Sequence, residues 1–513
     1  MSSNFAEISS GAASTATPRA ALSLNSTVAI VCIAAALVAR AAIFSGRPLW
    51  LDEIWTGAIV AQPDTPHLLH EIYLDPNAPL YFGVMYGWTK LFGLSDAALR
   101  FPSLVFGAAV PLLIAFARVP GLSRNARLAW AALLALWVPG IWFSQEARCY
   151  ALLLLVCSAQ SVLFLRLMAT PWLRTACWWA GCSSLAVLTH YHAGLLTLCE
   201  GIAFLAVWRM RALKTWPAAL AFVPAFAWIA WHSPRLADIA QSGAAWYGIL
   251  QPADLLYTLQ FLAGVPAVPL AFALAAGVAY SFGVKPLPLG HTGSKSAKLG
   301  CRMLILCALA AACILITVGF MRPAFTSRYL MPVVPAFALA LALAVQTLAR
   351  RWAPAYALVL LVSFGGGILA LRDIAQRPRV YSFEQASHDL AGDGVREVLF
   401  AFDNPATPVL HDSTLRALGG FYFQRDSIPA AVTPFRLRAG EDASAALLAH
   451  AQSPHTGLLW VYDLKMRNTA ATLVLPHIAE LDGRWRCHNY GKDNIGVIAC
   501  VNTEWLAETA AAQ

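Results

Sequence analysis

Apolar runs long enough to cross a bilayer recur along this chain, separated by short stretches in which Pro, Gly, Trp and charge collect. The first, about residues 26–44, can span the roughly 30 Å hydrocarbon core as a helix. Ten further candidate spans lie near 101–117, 128–143, 151–167, 176–191, 194–208, 215–231, 264–283, 302–320, 330–347 and 354–371. The segment PLYFGVMYGWTKLFG, Pro79 to Gly93, is short for a span and reads as an interfacial or re-entrant helix, so it is left out of the count. Residues 1–25, rich in Ala, Ser and Thr, read as a disordered tail, and the first span as an uncleaved anchor.

Between the first two spans, residues 45–100 form a long aromatic loop with helix-like pieces of its own: DEIWTGAIVAQ, PHLLHEIYL and the Pro79 segment. From residue 372 to 513 the chain is less apolar and long enough for one small α/β domain. VREVLFAF and TGLLWVYDL read as buried strands, and EDASAALLAHAQ has helical spacing. WRCHNYGKDNIGVIACV reads as a hairpin in which Cys487 and Cys500, equidistant from Asp493-Asn494, face each other. They are either a disulfide suited to an oxidising compartment or two small buried residues.

Composition agrees with the pattern. The 513 residues are 59% hydrophobic and 12% charged with a mean hydropathy of +0.60, which excludes an ordinary soluble enzyme. The net charge of +9 does not point to nucleic acid, because the basic residues sit in short loops rather than among stacking aromatics. Those loops carry Arg118, Arg124 and Arg127; Arg166 and Arg174; Arg209, Arg211 and Lys214; Lys285, Lys295, Lys298 and Arg302; Arg350 and Arg351, with no Asp or Glu among them. The positive-inside rule assigns them, and the N-terminus, to the cytoplasm. Asp52 to Asp96, Glu146, Asp238, Asp254 and the C-terminal domain then fall on the exoplasmic face. Counting Pro79 to Gly93 as a span would put Asp52 and Glu146 on opposite faces.

Candidate chemistry gathers on that exoplasmic side. In RPLWLDEIWTG, Asp52 and Glu53 follow the first span among tryptophans, and the plain structural reading makes Asp52 an N-cap with Glu53 supporting the helix dipole. In SQEARCYALLLL, Arg148 either binds a lipid phosphate through its planar fork or pairs locally with Glu146. In MRPAFTSRYLMPVVP, Arg322 and Arg328 are rare basic residues on the acidic side. Anion binding or anchoring of the next span by Arg328-Tyr329 would explain them. His190 and His192 in THYHAG make a weak metal motif, and Glu200 lies inside an apolar run with no partner named by the sequence.

Taken in order, LDE after a first span, D-x-x-x-P-L-Y-F, FG-x-S-x-x-x-x-R-x-P-S, S-Q-E-A-R-x-Y-A-L and a late R-Y-L-M-P resemble the polytopic GT-C glycosyltransferases over roughly residues 26–345. The nearest group is that of bacterial protein O-mannosyltransferases, lipid A aminoarabinose transferases and lipopolysaccharide-core sugar transferases. The resemblance implies an all-α polytopic membrane domain, here of about 11 transmembrane helices over 26–371 with juxtamembrane helices in loop 45–100, plus the small exoplasmic α/β domain. It also implies transfer of a sugar, usually with inversion, from a polyprenyl-phosphate donor to a glycan, lipid or protein acceptor of the cell envelope. The setting would be a bacterial inner membrane with the active site periplasmic. The family's acidic residue after the first span falls on Asp52, and its second exoplasmic acid on Glu146. Relatives commonly carry a basic residue and Pro-Pro before Leu-Tyr, where this chain has Asn77-Ala78-Pro79 ahead of Leu80-Tyr81, with Asp75 keeping an acid nearby.

Displacement at an anomeric carbon needs a base for the acceptor hydroxyl, and Asp52, with Glu53 and Glu146 near it, is the candidate. The departing lipid phosphate needs counter-charge. Arg148 and Arg328 with Tyr329 are the candidates, Arg47 and Arg40 stand behind them, and Asp75, Pro79 and Tyr81 form the substrate loop. If a divalent cation such as Mg or Mn takes part, Asp52, Glu53 and Glu146 are its candidate ligands. The rivals are a transporter or flippase of lipid-linked sugars and a structural membrane subunit. A transport pathway would centre on Glu200, whereas an enzyme would gather Asp52, Glu146 and an Arg at one exoplasmic site.

Overall fold

The structure, a computed structural model, describes residues 24–43, 48–242, 248–264, 295–350, 352–376, 382–403, 407–436, 455–463, 485–491 and 495–502. The first helix, α1 (Leu24–Ile43), leads into three juxtamembrane helices, α2 (Leu51–Val60), α3 (Thr65–Leu74) and α4 (Leu80–Phe92). Asp64 caps α3 by accepting the His67 N–H, with Pro66 in its first turn. At 13 residues α4 is about 20 Å long, too short to cross the hydrocarbon core, which agrees with leaving it out of the span count.

The bundle continues through α5 (Asp96–Phe116), α6 (Arg124–Leu136), α7 (Val138–Phe143), α8 (Tyr150–Ala169), α9 (Leu173–Thr189), α10 (Ala193–Trp208), α11 (Met210–Leu213), α12 (Val223–Gln241), α13 (Asp254–Ala263), α14 (Lys295–Met321), α15 (Val334–Ala349) and α16 (Pro354–Gln376). Short 3-10 turns, Trp216–Phe222 and Ser327–Val333, precede α12 and α15. Ser95 and Ser123 cap α5 and α6 through the N–H groups of Ala98 and Ala126.

The expected count of eleven spans is not confirmed. Six described segments are long and apolar enough to cross a membrane: Leu24–Ala42, Asp96–Phe116, Tyr150–Ala169, Lys298–Met321, Ser327–Ala349 and Pro354–Arg372. The expected span 128–143 is instead two helices that part at Trp137, because Pro139 has no N–H to continue the ladder. That break leaves the Ala135 carbonyl without its helical donor, and buried Arg40 supplies one, Nη1 to Ala135 O at 2.7 Å. Arg40, expected behind the phosphate site, therefore serves the packing of α1 on α6. The expected spans at 176–191 and 194–208 form helices of only 17 and 16 residues, and that at 264–283 lies outside the described residues.

The C-terminal domain has α17 (Phe383–Gly392), β1 (Glu397–Asp403), α18 (Asp412–Arg425), β2 (Ala431–Pro434), β3 (Thr456–Asp463), β4 (Trp485–Asn489) and β5 (Ile495–Asn502). Its sheet runs β2-β1-β3-β5-β4, with β1 parallel to β2 and β3 and the remaining pairs antiparallel. Cys487 and Cys500 are opposite each other in the β4–β5 register and joined as a disulfide. EDASAALLAHAQ lies outside the described residues.

Candidate active site

Asp52 sits at the second position of α2. The cap is Trp50, not Asp52 as expected, because Leu51 is already helical. The carboxylate that serves the helix start is Glu53, three residues past the cap, which accepts the Trp50 N–H at 3.1 Å. Asp52 is thereby left to face a polar site, 30% exposed, with Arg328 Nη1 at 3.5 Å and Arg148 Nη2 at 3.8 Å from Oδ2.

Glu53 has the opposite environment. It is fully buried and bound by Arg100 through Nε at 2.7 Å and Nη2 at 2.6 Å, while the Ala147 N–H donates to it at 2.9 Å. A carboxylate holding one bidentate guanidinium and two backbone donors has its acceptor capacity taken up, so Glu53 ties α2 to α5 and to the turn before α8. Arg100 is the partner of Glu53 that the sequence did not name, although it is a basic residue opening a span on the acidic side and stands in the FG-x-S-x-x-x-x-R-x-P-S element. Glu146 is buried, 3% exposed, and adds to the negative surroundings of Arg100. Arg148 does not form the local pair with Glu146 that was its alternative: its Nη1 donates to Asp52 O at 3.2 Å and lies 3.5 Å from Thr56 Oγ1. Burial works against the Arg148 charge, but the carboxylates of Asp52 and Asp75 outweigh it and raise its pKa. Its Nε is buried without a partner.

Arg328 arrives from the 3-10 turn before α15, with its guanidinium 5.6 Å from the Tyr150 ring centre. Tyr329 stacks on His192, centroids 4.2 Å apart, while the His190 ring lies 5.1 Å from both. The two histidines, unpromising as a metal motif, thus form an aromatic cluster with the residue that follows Arg328. Asp75, 4% exposed, accepts from Trp55 Nε1 at 2.8 Å and from the Asn77 N–H and side-chain amide, both at 2.8 Å. Burial pushes its carboxyl pKa up, against the Arg148 charge and these bonds. Pro79 starts α4, and Tyr81 on that helix meets Ser103 Oγ at 3.3 Å, which in turn donates to Arg148 O at 3.4 Å. Arg47 lies outside the described residues.

The expected metal set does not fit. Glu53 is saturated, and a dication at Asp52 would share one carboxylate with two guanidiniums. Among the described residues, the group whose ligand atoms do converge within 4.8 Å is Glu384, His388 and Asp426, in the C-terminal domain, where Arg425 already occupies the carboxylates. Glu200, the intramembrane acid, is sealed at 0% exposure with Trp179 Nε1 at 2.7 Å and Gln160 Nε2 at 2.9 Å, partners the sequence did not name.

No protein-family model matches this chain, and no curated protein matches it by sequence. Solved structures do match by fold. ArnT from Cupriavidus metallidurans bound to undecaprenyl phosphate superposes with a TM-score of 0.53 at 13% identity, over 92% of this chain and 97% of that one. The apo state of the same protein gives a TM-score of 0.54 at 14% identity, over 94% and 99%. The chain is an integral membrane protein with a GT-C-type glycosyltransferase fold.

Proposed function

We propose that this protein transfers a sugar from a polyprenyl-phosphate donor to a glycan, lipid or protein acceptor on the exoplasmic face of a bacterial inner membrane, with inversion at the anomeric carbon. The observation that carries the reading is the partly exposed Asp52 carboxylate between the side chains of Arg148 and Arg328, which three distant parts of the chain bring together. The fold shared with ArnT, whose structure holds undecaprenyl phosphate, supports the choice of donor.

In the resting site Asp52 is the counter-ion of both guanidiniums. The donor's phosphodiester takes the carboxylate's place as partner of the two guanidiniums and so releases Asp52, and binding of the anion prepares the base. Asp52 then removes the proton of the acceptor hydroxyl as its oxygen bonds to the anomeric carbon. The sugar–oxygen bond to phosphate breaks, and the polyprenyl phosphate leaves with the electron pair. Arg148 and Arg328 stabilise the charge gained by the leaving phosphate. The enclosure of Glu200 by Trp179 and Gln160 gives no support to a transport pathway centred on it.

The test uses the purified protein with undecaprenyl-phosphate-linked mannose, glucose and 4-amino-4-deoxyarabinose, offered to envelope lipids, glycans and proteins. Wild type transfers at least one of these, and Asp52→Asn loses transfer by about 10³-fold while still binding undecaprenyl phosphate. Wild-type turnover by Asp52→Asn would exclude it as the base.

A further inference from the structure

We propose that the C-terminal domain positions the helix carrying Asp52, with Phe421 and Arg425 as positioning residues for sugar transfer. The proposal rests on the glycosyltransferase reading above.

Helix α2 lies between the candidate site and the C-terminal domain. Asp52 faces the site, and Gly57, five residues on and so about 140° around the helix, faces α18. The Phe421 ring fills the space where a side chain at 57 would be, 2.6 Å from an added Cβ, and Phe421 is itself fully buried. One turn on, Gln424 Nε2 donates to the Ala61 carbonyl at the C-terminal end of α2, at 3.1 Å. Arg425 completes the grip. Its guanidinium joins Asp96 on the first turn of α5, at 2.8 Å, to Glu384 and Asp426 of its own domain, and packs 4.5 Å from the Tyr422 ring centre.

Asp96 lies one turn before Arg100, the residue that holds Glu53. Asp96, held by Arg425, and Arg100, which holds the residue beside Asp52, therefore stand one turn apart on α5 and feel each other's charge without a direct contact. Two further side chains fix the neighbouring helix: Thr414 Oγ1 donates to Glu71 Oε2 at 2.7 Å, and Arg235 donates to both Leu74 O and Val409 O.

Asp52 needs such support because its own side-chain contacts, at 3.5 and 3.8 Å, are long. The direction of its carboxylate is set by the rotation and tilt of α2. A misplacement of about 1 Å between base and acceptor costs on the order of 10²-fold in rate.

The experiment compares wild type with Gly57→Ala, Gly57→Ala/Phe421→Leu, Arg425→Gln and Arg425→Lys, using the same lipid-linked sugars and amide hydrogen exchange over Leu51–Val60. Gly→Ala inside a helix ordinarily stabilises it, so propensity alone predicts a tighter α2. The contact predicts the reverse: Gly57→Ala lowers kcat by about 10- to 100-fold with donor KM within about twofold, since Arg148 and Arg328 remain, and speeds exchange in α2. Removing the ring atoms that clash, by Phe421→Leu, restores kcat to within about threefold, and Arg425→Lys retains more activity than Arg425→Gln. If Gly57→Ala reduces only yield, with the folded protein turning over and exchanging as wild type, the proposal is overturned. If wild type moves no lipid-linked sugar, the functional reading fails instead. The exchange data then decide whether the C-terminal domain orders α2: exchange unchanged in Gly57→Ala and Arg425→Gln overturns that contact, and faster exchange upholds it.

Discussion

Asp52 and Glu53 are adjacent acids, yet their isosteric amides should fail in different ways. Glu53→Gln keeps the volume and removes the charge opposite Arg100, which is 2% exposed and donates twice to the lost carboxylate. The glutamine presents one carbonyl oxygen where two oxygens received four donors, and its NH2 meets some of those donors head-on. Breaking a buried ion pair by removing one partner costs about 3–5 kcal/mol, roughly two to three and a half orders of magnitude in the folded population. Asp52→Asn loses only two long contacts at a partly solvated carboxylate, about 1 kcal/mol or less. The assay is the thermal melt of detergent-purified protein followed with a thiol-reactive dye, since Cys149, Cys157 and Cys307 are buried and become reactive on unfolding. Glu53→Gln should give little monodisperse protein and a clearly lower melting temperature, whereas Asp52→Asn should melt like wild type. The double variant Glu53→Leu/Arg100→Met should recover part of the loss, the remainder reflecting the backbone N–H groups of Trp50 and Ala147 left without an acceptor. A folded, thermally normal, inactive Glu53→Gln would refute the reasoning and move Glu53 into the chemistry.

Arg40→Leu should destabilise by about 1–3 kcal/mol through the orphaned Ala135 carbonyl, read as a lower melting temperature with donor KM unchanged in the surviving enzyme. Cys500→Ser should cost the C-terminal domain on the order of 3 kcal/mol, seen as faster amide exchange in β4 and β5. At the domain junction, burial works against the Asp426 charge, but the bonds from Arg425 and His388 prevail and lower its pKa. A lowered carboxyl contributes stability above its ordinary value near 3.8 that is lost only as pH falls through the lower folded value. Amide exchange in α18 should therefore report that the Asp426 contribution persists at pH 5 and fades only below about pH 4.

Hydrophobic runs revealed the membrane class, the juxtamembrane helices and the strands at 397–403 and 456–463, because each depends on periodicity within a short stretch. Leaving Pro79 to Gly93 out of the span count put Asp52 and Glu146 on one face, and the structure brings Asp52 to Arg148 and Glu53 to the turn containing Glu146. Hydropathy could not reveal the break at Pro139, since a membrane segment stays apolar on both sides of a kink, nor that Arg40 is spent on closing it. Nor could it separate Asp52 from Glu53. The two differ by one position in sequence and by about 100° around α2. That rotation gives one of them a buried guanidinium and two backbone donors and leaves the other at a solvated site between two arginines. Sequence by itself determined which residues could carry charge at the membrane surface. Tertiary structure alone decided which of those charges are satisfied, because the partners of Asp52 and Glu53 come from α5, the turn before α8 and the turn before α15, whose packing no local pattern encodes.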